Sequence, residues 1–302
     1  MEKIERGLEG VYVAESSIAS IDGKRGILRY RGYDINDLAK NSGFEEVCYL
    51  FLYEKLPKKN ELKLFLNKLK RNRKLSKETL NFIRSASKDA RPMAVLRTAV
   101  SNLGLSDKDA DNLSKESLIK KNIKLIAQIP TIIAAFNRIR KNKKIIIPRN
   151  DLSHAANFLY MLSGKRPDKD DERIFDVCLV LHAEHELNAS VFSARVTAST
   201  LSDLYSAVTS AIGTLKGELH GGANEKVLNM IKEIGKEENV DSYLQKKLDA
   251  KERIMGFGHR IYKTKDPRAY ILEKYSKELS EKYNTNLYKI SNNFLILLML
   301  PL

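Results

Sequence analysis

Cysteine is scarce in this sequence, which contains only Cys48 and Cys178, far apart in the chain and without a CxxC motif. Two separated cysteines support neither a disulfide framework nor a cysteine zinc site. Free cysteines are among the residues most often buried in proteins. We therefore expect two core thiols in a reducing compartment.

Long apolar runs are also scarce. The longest, FLILLMLPL at the C-terminus, is about half of the ~20 residues that a membrane-spanning helix needs. The N-terminal MEKIERGLEG has no apolar core of the kind found in secretion signals. The sequence therefore predicts a cytoplasmic protein with no membrane span.

The composition is that of a globular protein, with 302 residues, 43% hydrophobic and 30% charged. The net charge of +15 would suit an anionic partner, and nucleic acid is one candidate. However, the lysines alternate with acids and leucines, as in LPKKNELKLFLNKLKRNRKLSKE. This pattern favours solvated helix faces over a nucleic-acid surface, and no nucleic-acid motif accompanies it.

Helical periodicity dominates the chain after residue 32. Before it, SSIASIDGKRGILRYRGYDI has short alternating runs on both sides of Asp22-Gly23, which predicts a β-hairpin. Beyond it, helix-sized blocks are separated by brief Gly- or Pro-containing breaks. The predicted fold class is mainly α with a small N-terminal β element.

Two histidines lie close together in LHAEHELNAS, residues 181–190. His182 and His185 would share one face if a helix continued through them. The HExxH spacing or third ligand that a zinc site would need is absent from this segment, so we expect no metal here. Asn188 and Ser190 often begin helices. His185 is then expected near a helix end, either reaching a cavity or as a satisfied core histidine.

His220 precedes two glycines in LKGELHGGANEKVLNMIKEIG, residues 215–235. Gly221 and Gly222 would let the backbone approach a ligand closely, and exposed N–H groups at a helix start attract anions. A purely structural turn would use glycines as well. The residues after this pair predict an amphipathic helix that ends at Gly235.

The stretch GFGHRIYKTKDPRA, residues 256–269, combines His259 with several cations and an Asp-Pro pair. Asp266 suits a helix N-cap and Pro267 the first helical position. Arg268 would then lie in the first turn, where the helix dipole disfavours a cation. A bound carboxylate could compensate through a two-point contact. We therefore expect a substrate site rather than a plain basic loop.

These three segments resemble the hallmark motifs of the citrate synthase family, in the same order, and the likeness runs from about residue 7 to about residue 288. The resemblance implies a mainly helical homodimer with a large domain at 1–217 and a smaller mobile domain at 218–302. It implies that acetyl-CoA, as co-substrate, condenses with oxaloacetate to citrate and CoA, the reaction that brings acetyl groups into the tricarboxylic acid cycle. No further cofactor, metal or nucleic-acid partner is implied.

The resemblance also implies roles for single residues. Removing a proton from a thioester methyl group requires a base and a hydrogen-bond donor at the carbonyl oxygen. His220 matches that donor, and His259 matches the residue that polarises the oxaloacetate carbonyl. The side chains that match the dicarboxylate grip are His185 and Arg268, and those expected near the CoA phosphates are Arg260 and Lys263.

The family's catalytic base is an aspartate, which the resemblance implies beyond the helix that begins at Pro267. This sequence departs from the family pattern after YNTNLYKI and contains no aspartate or arginine after Ile290. We therefore expect a truncated or frameshifted family member whose large domain lacks its closing helices. Two alternatives stay open: an inactive family member, and a 2-methylcitrate synthase that uses propionyl-CoA, since one methylene changes binding by only about 1–3 kcal/mol.

Overall fold

A computed structural model of the protein describes residues 11, 13–252, 254 and 261–299. His259 and Arg260 lie outside these residues, so the predictions made for them stay predictions. Within the described part, a three-stranded sheet is followed by fourteen α-helices. The predicted fold class, mainly α with a small N-terminal β element, is confirmed.

The sheet contains the predicted hairpin. Strands β1 (Ala19–Asp22) and β2 (Ile27–Tyr30) pair antiparallel, and β3 (Tyr33–Asp34) pairs with β2. The turn spans four residues, 23–26, because the Asp22 carboxylate accepts hydrogen bonds from the backbone N–H groups of Lys24 and Arg25. Gly26 closes the turn with a φ of +65°, a conformation that glycine adopts without strain.

The helices run in chain order with short connections. They are α1 (Ile35–Asn41), α2 (Phe44–Tyr53), α3 (Lys59–Asn72), α4 (Lys77–Ser85), α5 (Pro92–Leu105), α6 (Lys115–Arg140), α7 (His154–Ser163), α8 (Lys169–Leu181), α9 (Ala189–Ser199), α10 (Leu204–Leu215), α11 (Gly222–Ile234), α12 (Val240–Asp249), α13 (Pro267–Lys282) and α14 (Leu287–Met299). A short 3₁₀ helix, Glu237–Asn239, precedes α12.

Side-chain caps explain where many of these helices begin. Ser114, Ser153 and Asp203 each accept a hydrogen bond from the backbone N–H three residues later, at the starts of α6, α7 and α10. Such a cap satisfies one of the N–H groups that a helix start leaves without an internal partner. The predicted helix from the glycine pair to Gly235 is confirmed as α11, which ends at Gly235 with a φ of +70°.

The apolar core is divided into several clusters. One joins the sheet to α1, α2 and α8 through residues such as Leu28, Ile35 and Val177, and Ile271 and Leu272 of α13 pack against it. This cluster fixes α13 beside the end of α8. A separate cluster joins α11, α12 and α14, from Met230 to Ile290. The predicted domain boundary between residues 217 and 218 stays a prediction.

Neither cysteine forms a disulfide, and burial raises the pKa of both thiols. Cys48 is buried and Cys178 is partly buried, as expected for core thiols. Among the helices of the described residues, none combines the length and apolar character that crossing a membrane requires.

Candidate active site

His185 lies in the connection between α8 and α9. Helix α8 ends at Leu181, and His182 is its C-cap, with Nδ1 2.7 Å from the carbonyl oxygen of Cys178. The helix does not continue through both histidines, because the chain turns before it reaches His185, which lies near a helix end as expected. The expected helix start is confirmed: the Asn188 side chain accepts hydrogen bonds from the backbone N–H groups of Ser190 and Val191.

Tyr30 anchors the chain just before this connection. Its hydroxyl lies 3.2 Å from the carbonyl oxygen of Val180 and 3.3 Å from that of Leu181, and its side chain is fully buried. A helix end leaves its last carbonyl groups without partners inside the helix. The single O–H of Tyr30 lies between two of them and can donate to either, so it holds the end of α8. Strand β2 thereby fixes the point from which the 182–188 connection begins.

The side chain of His185 contacts Tyr262. Its Nε2 is 3.2 Å from the Tyr262 hydroxyl, and the two rings are 5.6 Å apart at an interplanar angle of 58°. Two carboxyl groups flank His185, Glu184 and Glu186, and burial raises the pKa of each. Glu186 has a φ of +55°, which is uncommon outside glycine. His185 is thus presented from a tight, partly buried turn.

Arg268 begins α13 as the sequence predicts, with Asp266 as N-cap and Pro267 at the first position. Its guanidinium pairs with the Asp266 carboxylate at two points, Nε to Oδ1 at 3.0 Å and Nη2 to Oδ2 at 2.6 Å. A carboxylate of the chain itself therefore compensates the cation, and the expected contact of Arg268 with a bound carboxylate stays a prediction. The pairing with Arg268 lowers the pKa of Asp266 although burial opposes this, and the nearby His185 adds to the lowering.

His220 lies in the turn between α10 and α11. A Cβ at Gly221 would be 2.5 Å from the Leu215 carbonyl oxygen, so this position requires glycine. The backbone N–H groups of His220 and Gly222 donate to the Gly217 carbonyl, and that of Gly221 donates to Leu215. These glycines have a structural role, since they let the turn fold back on the end of α10. The expected close approach of this backbone to a ligand stays a prediction.

Ser190 holds the His220 ring. Its Oγ is 2.7 Å from His220 Nε2, and both side chains are partly buried. The contact places His220 beside the first turn of α9, five residues after His185 in the chain. Sequence reasoning treated Ser190 only as a helix-starting residue and missed this role. A hydroxyl two positions after the Asn188 cap was the available signal.

Lys263, expected near the CoA phosphates, is exposed, and its backbone N–H donates to the carbonyl oxygen of Gly23 at 2.9 Å. A cavity of about 510 Å³ lies beside the His220 turn, between the starts of α5 and α11. Its lining includes Gly221 and the cations Arg91, Lys216 and Lys226. In the described part of the chain, no group of three or more His, Cys, Asp or Glu side chains could hold a metal ion.

Comparison with known proteins assigns the family. The profile described as "Citrate synthase, C-terminal domain" matches residues 7–296. A citrate synthase of Deinococcus radiodurans is 47% identical over 96% of this chain and 77% of its own length. A 2-methylcitrate synthase of Shewanella oneidensis is 42% identical over 94% of this chain and 76% of its own.

The fold agrees with the sequence. The citrate synthase of Thermoplasma acidophilum, solved as a ternary complex with carboxymethyl-CoA and oxaloacetate, matches with a TM-score of 0.93 at 33% identity. The match covers 97% of this chain and 78% of that one. The helical fold and these relatives define an acyltransferase-type enzyme. The chain belongs to the citrate synthase family.

Proposed function

We propose that this protein condenses acetyl-CoA with oxaloacetate and releases citrate and CoA. The observation that carries this proposal is the contact between Ser190 Oγ and His220 Nε2 at 2.7 Å. Ser190 follows His185 by five residues, so one short stretch of chain presents His185 and holds His220. The relative from Thermoplasma acidophilum, solved with carboxymethyl-CoA and oxaloacetate, supports this choice of substrates. No additional cofactor is proposed, because this reaction needs only acid–base and hydrogen-bond chemistry.

His220 is the proposed donor to the thioester oxygen. When the Ser190 hydroxyl donates to Nε2, the proton of the neutral imidazole lies on Nδ1. That N–H can then donate to the oxygen on which negative charge develops as the methyl group loses a proton. The interaction is stronger in the transition state than in the ground state, so it accelerates the reaction rather than merely tightening binding.

His185 and Arg268 are proposed to grip the oxaloacetate carboxylates. Asp266 occupies the Nε and Nη2 side of the guanidinium and holds it in one plane. Nη1 makes no hydrogen bond to any residue that the structure describes, so this edge suits a carboxylate. His259 is proposed to polarise the ketone, and Arg260 and Lys263 to lie near the CoA phosphates. These roles rest on the family resemblance.

The proposed reaction balances in two steps. A base takes one proton from the acetyl methyl, and the resulting enol carbon attacks the ketone carbon of oxaloacetate. One C–C bond forms, and the ketone oxygen becomes a hydroxyl by taking up a proton. Water then cleaves the thioester, which gives citrate and the free thiol of CoA. The base implied by the resemblance is an aspartate C-terminal to α13, and the sequence has none after Asp266.

The test therefore uses two samples, the 302-residue chain and the same chain extended by a family C-terminal segment that carries the aspartate. Release of the CoA thiol is measured with acetyl-CoA and oxaloacetate. We expect condensation in the extended protein and a rate lower by about 10²–10⁴-fold without the base. Absence of oxaloacetate-dependent CoA release from the extended protein would refute the proposed function.

Condensation of propionyl-CoA to 2-methylcitrate is the second candidate, because the Shewanella oneidensis 2-methylcitrate synthase is 42% identical to the chain. The higher identity to citrate synthases, 47% for the Deinococcus radiodurans protein, favours acetyl-CoA. The ratio of kcat/KM for the two thioesters decides between them. If kcat/KM is higher with propionyl-CoA than with acetyl-CoA, 2-methylcitrate formation becomes the favoured function.

A homodimer in the cytoplasm is the proposed form of the protein. Helix α9 supports the assembly, because it packs on α10 while every one of its residues stays at least partly exposed. Val196 on this helix and Leu201 just after it are 54% and 78% exposed, and a second copy would cover them. Sedimentation velocity measures the mass: a monomer at micromolar concentration would contradict the proposal.

A further inference from the structure

Tyr262 joins the two segments that are proposed to bind oxaloacetate. Its hydroxyl contacts His185, and the chain continues from it directly to Asp266 and Arg268. We propose that Tyr262 is a positioning residue that orients the His185 imidazole toward oxaloacetate, and that the β1–β2 turn, residues 23–26, fixes Tyr262 in turn. The inference rests on the proposed function and adds a residue to which the family resemblance assigned no role.

The backbone around His185 is fixed at its ends. Tyr30 holds the end of α8 before it, and Asn188 caps α9 after it. Between these anchors His185 belongs to no helix, so helical packing does not restrict its side-chain rotamer. The direction of the imidazole therefore depends on side-chain contacts, and the Tyr262 hydroxyl at 3.2 Å supplies one.

Tyr262 has the properties of a rigid support. Its side chain is only 4% exposed, and burial, with a contribution from the nearby Asp266, raises its pKa to about 12. The phenol therefore keeps its proton across the neutral range. It can accept a hydrogen bond from a protonated Nε2 or donate one to a bare Nε2, so the contact persists in both charge states of His185.

The β1–β2 turn sets the position of Tyr262. The backbone N–H of Lys263 donates to the Gly23 carbonyl at 2.9 Å. A Cβ at Gly23 would be 2.2 Å from the Ile261 carbonyl oxygen, and one at Gly26 would be 2.9 Å from Thr264 Cγ2. Glycines in this turn thus allow two backbones to touch, and the hairpin acts as a support for the segment on which Tyr262 lies.

Tyr262→Phe removes the hydroxyl and keeps the ring. We expect the Kd for oxaloacetate, measured by calorimetry, to rise about 5- to 10-fold, the scale of one lost hydrogen bond. In the chain extended by the family C-terminal segment, KM for oxaloacetate should rise equally, with kcat within about twofold and KM for acetyl-CoA unchanged. The matched control is Tyr243→Phe on α12. It removes a hydroxyl that donates a hydrogen bond of 3.0 Å to Glu233 on α11.

The histidine ring provides a readout that needs no turnover. The chain has five histidines, so ¹⁵N-histidine spectra are simple. The pair of ring-nitrogen signals that disappears in His185→Gln belongs to His185. Tyr262→Phe should shift the His185 ring-nitrogen signals, because the tautomer balance depends on the partner of Nε2. Tyr243→Phe should leave them in place.

Gly23→Ala tests the support independently. The added methyl must push the Ile261 carbonyl away, so we expect the same rise in Kd for oxaloacetate as in Tyr262→Phe. Gly32→Ala is the matched control, since it also lies beside β2 but has no atom within 4 Å of the added methyl. Because φ at this position is +88°, an alanine there strains the hairpin backbone, but its methyl group does not contact residues 261–265.

Three outcomes overturn the inference. They are an unchanged Kd in Tyr262→Phe, unchanged His185 signals, or an equal loss of affinity in Gly32→Ala and Gly23→Ala. If the protein binds oxaloacetate but the extended protein does not condense it with acetyl-CoA, only the proposed function is refuted. Calorimetry on Tyr262→Phe then still decides the role of Tyr262. If wild-type protein binds no oxaloacetate, the ring-nitrogen signals decide whether Tyr262 orients His185.

Discussion

Replacing Ser190 with alanine tests how much of the catalytic effect of His220 depends on its orientation. The change removes a side-chain hydrogen bond of 2.7 Å between Ser190 Oγ and His220 Nε2 and leaves the backbone of α9 intact. A hydrogen bond of this kind contributes about 0.5–1.5 kcal/mol. If that amount is lost from transition-state stabilisation, kcat falls roughly 2- to 13-fold.

The measurement is a double-mutant cycle on kcat in the chain extended by the family C-terminal segment. His220→Ala alone should lower kcat by about 10²–10³-fold, the scale of one oxyanion donor. Because Ser190 acts through His220, Ser190→Ala should have no further effect once His220 is gone. Affinity for oxaloacetate should stay close to that of the wild type in all four proteins.

This reasoning is refuted if Ser190→Ala lowers kcat by the same factor in the wild-type protein and in the His220→Ala protein. Ser190 would then act on the reaction, or on the fold, without His220. The matched control is Ser193→Ala on the same helix, which removes a hydroxyl 2.5 Å from Ser210 Oγ. If Ser193→Ala lowers kcat as much as Ser190→Ala, the effect belongs to the packing of α9 on α10.

Three further predictions concern other parts of the molecule. Arg268→Lys loses the planar two-point contact with Asp266. Calorimetry should show that the affinity for oxaloacetate falls by more than about tenfold, or 1.4 kcal/mol. An unchanged affinity would show that Arg268 is not part of the oxaloacetate site. Gly221→Ala forces a methyl to 2.5 Å from the Leu215 carbonyl, so the free energy of unfolding should fall by about 1–3 kcal/mol, and an unchanged denaturant midpoint would contradict this. Burial raises the pKa of Asp176 from 3.8 to about 6, so its proton is bound more tightly in the folded state. The contribution of the protonated Asp176 carboxyl group to the free energy of unfolding is complete below about pH 4. As the pH rises through 6 this contribution, up to about 3 kcal/mol, is lost. Asp176→Asn should remove that loss in urea titrations at pH 4.5 and 7.5, and an unaltered pH dependence would assign it to other groups.

The features that could be predicted from sequence are those decided by neighbouring residues. Asp266 and Pro267 specify the start of α13, and Asn188 specifies the start of α9, because capping involves residues two or three apart. The hairpin follows from alternating residues on both sides of one turn. The family resemblance then identified the segments that form the candidate site.

The contacts that organise the site could not be predicted in this way. Ser190 with His220, and Tyr262 with His185, join residues that are far apart in sequence and meet only through the tertiary fold. The environment of Arg268 was misjudged for a related reason. The dipole argument was sound, but it counted Asp266 only as a cap, whereas the same carboxylate also pairs with the guanidinium.

The contact between the β1–β2 turn and residues 261–264 has a consequence for synthesis on the ribosome. The hairpin emerges first, but the segment that rests on it is made only near the end of the chain. At roughly 5–20 residues per second, the interval is on the order of 10–50 s. During that time the glycine turn has no partner backbone, and the end of α8 forms before Tyr262 exists. A nascent chain arrested before residue 261 should therefore contain a folded helical core but no capacity to bind oxaloacetate.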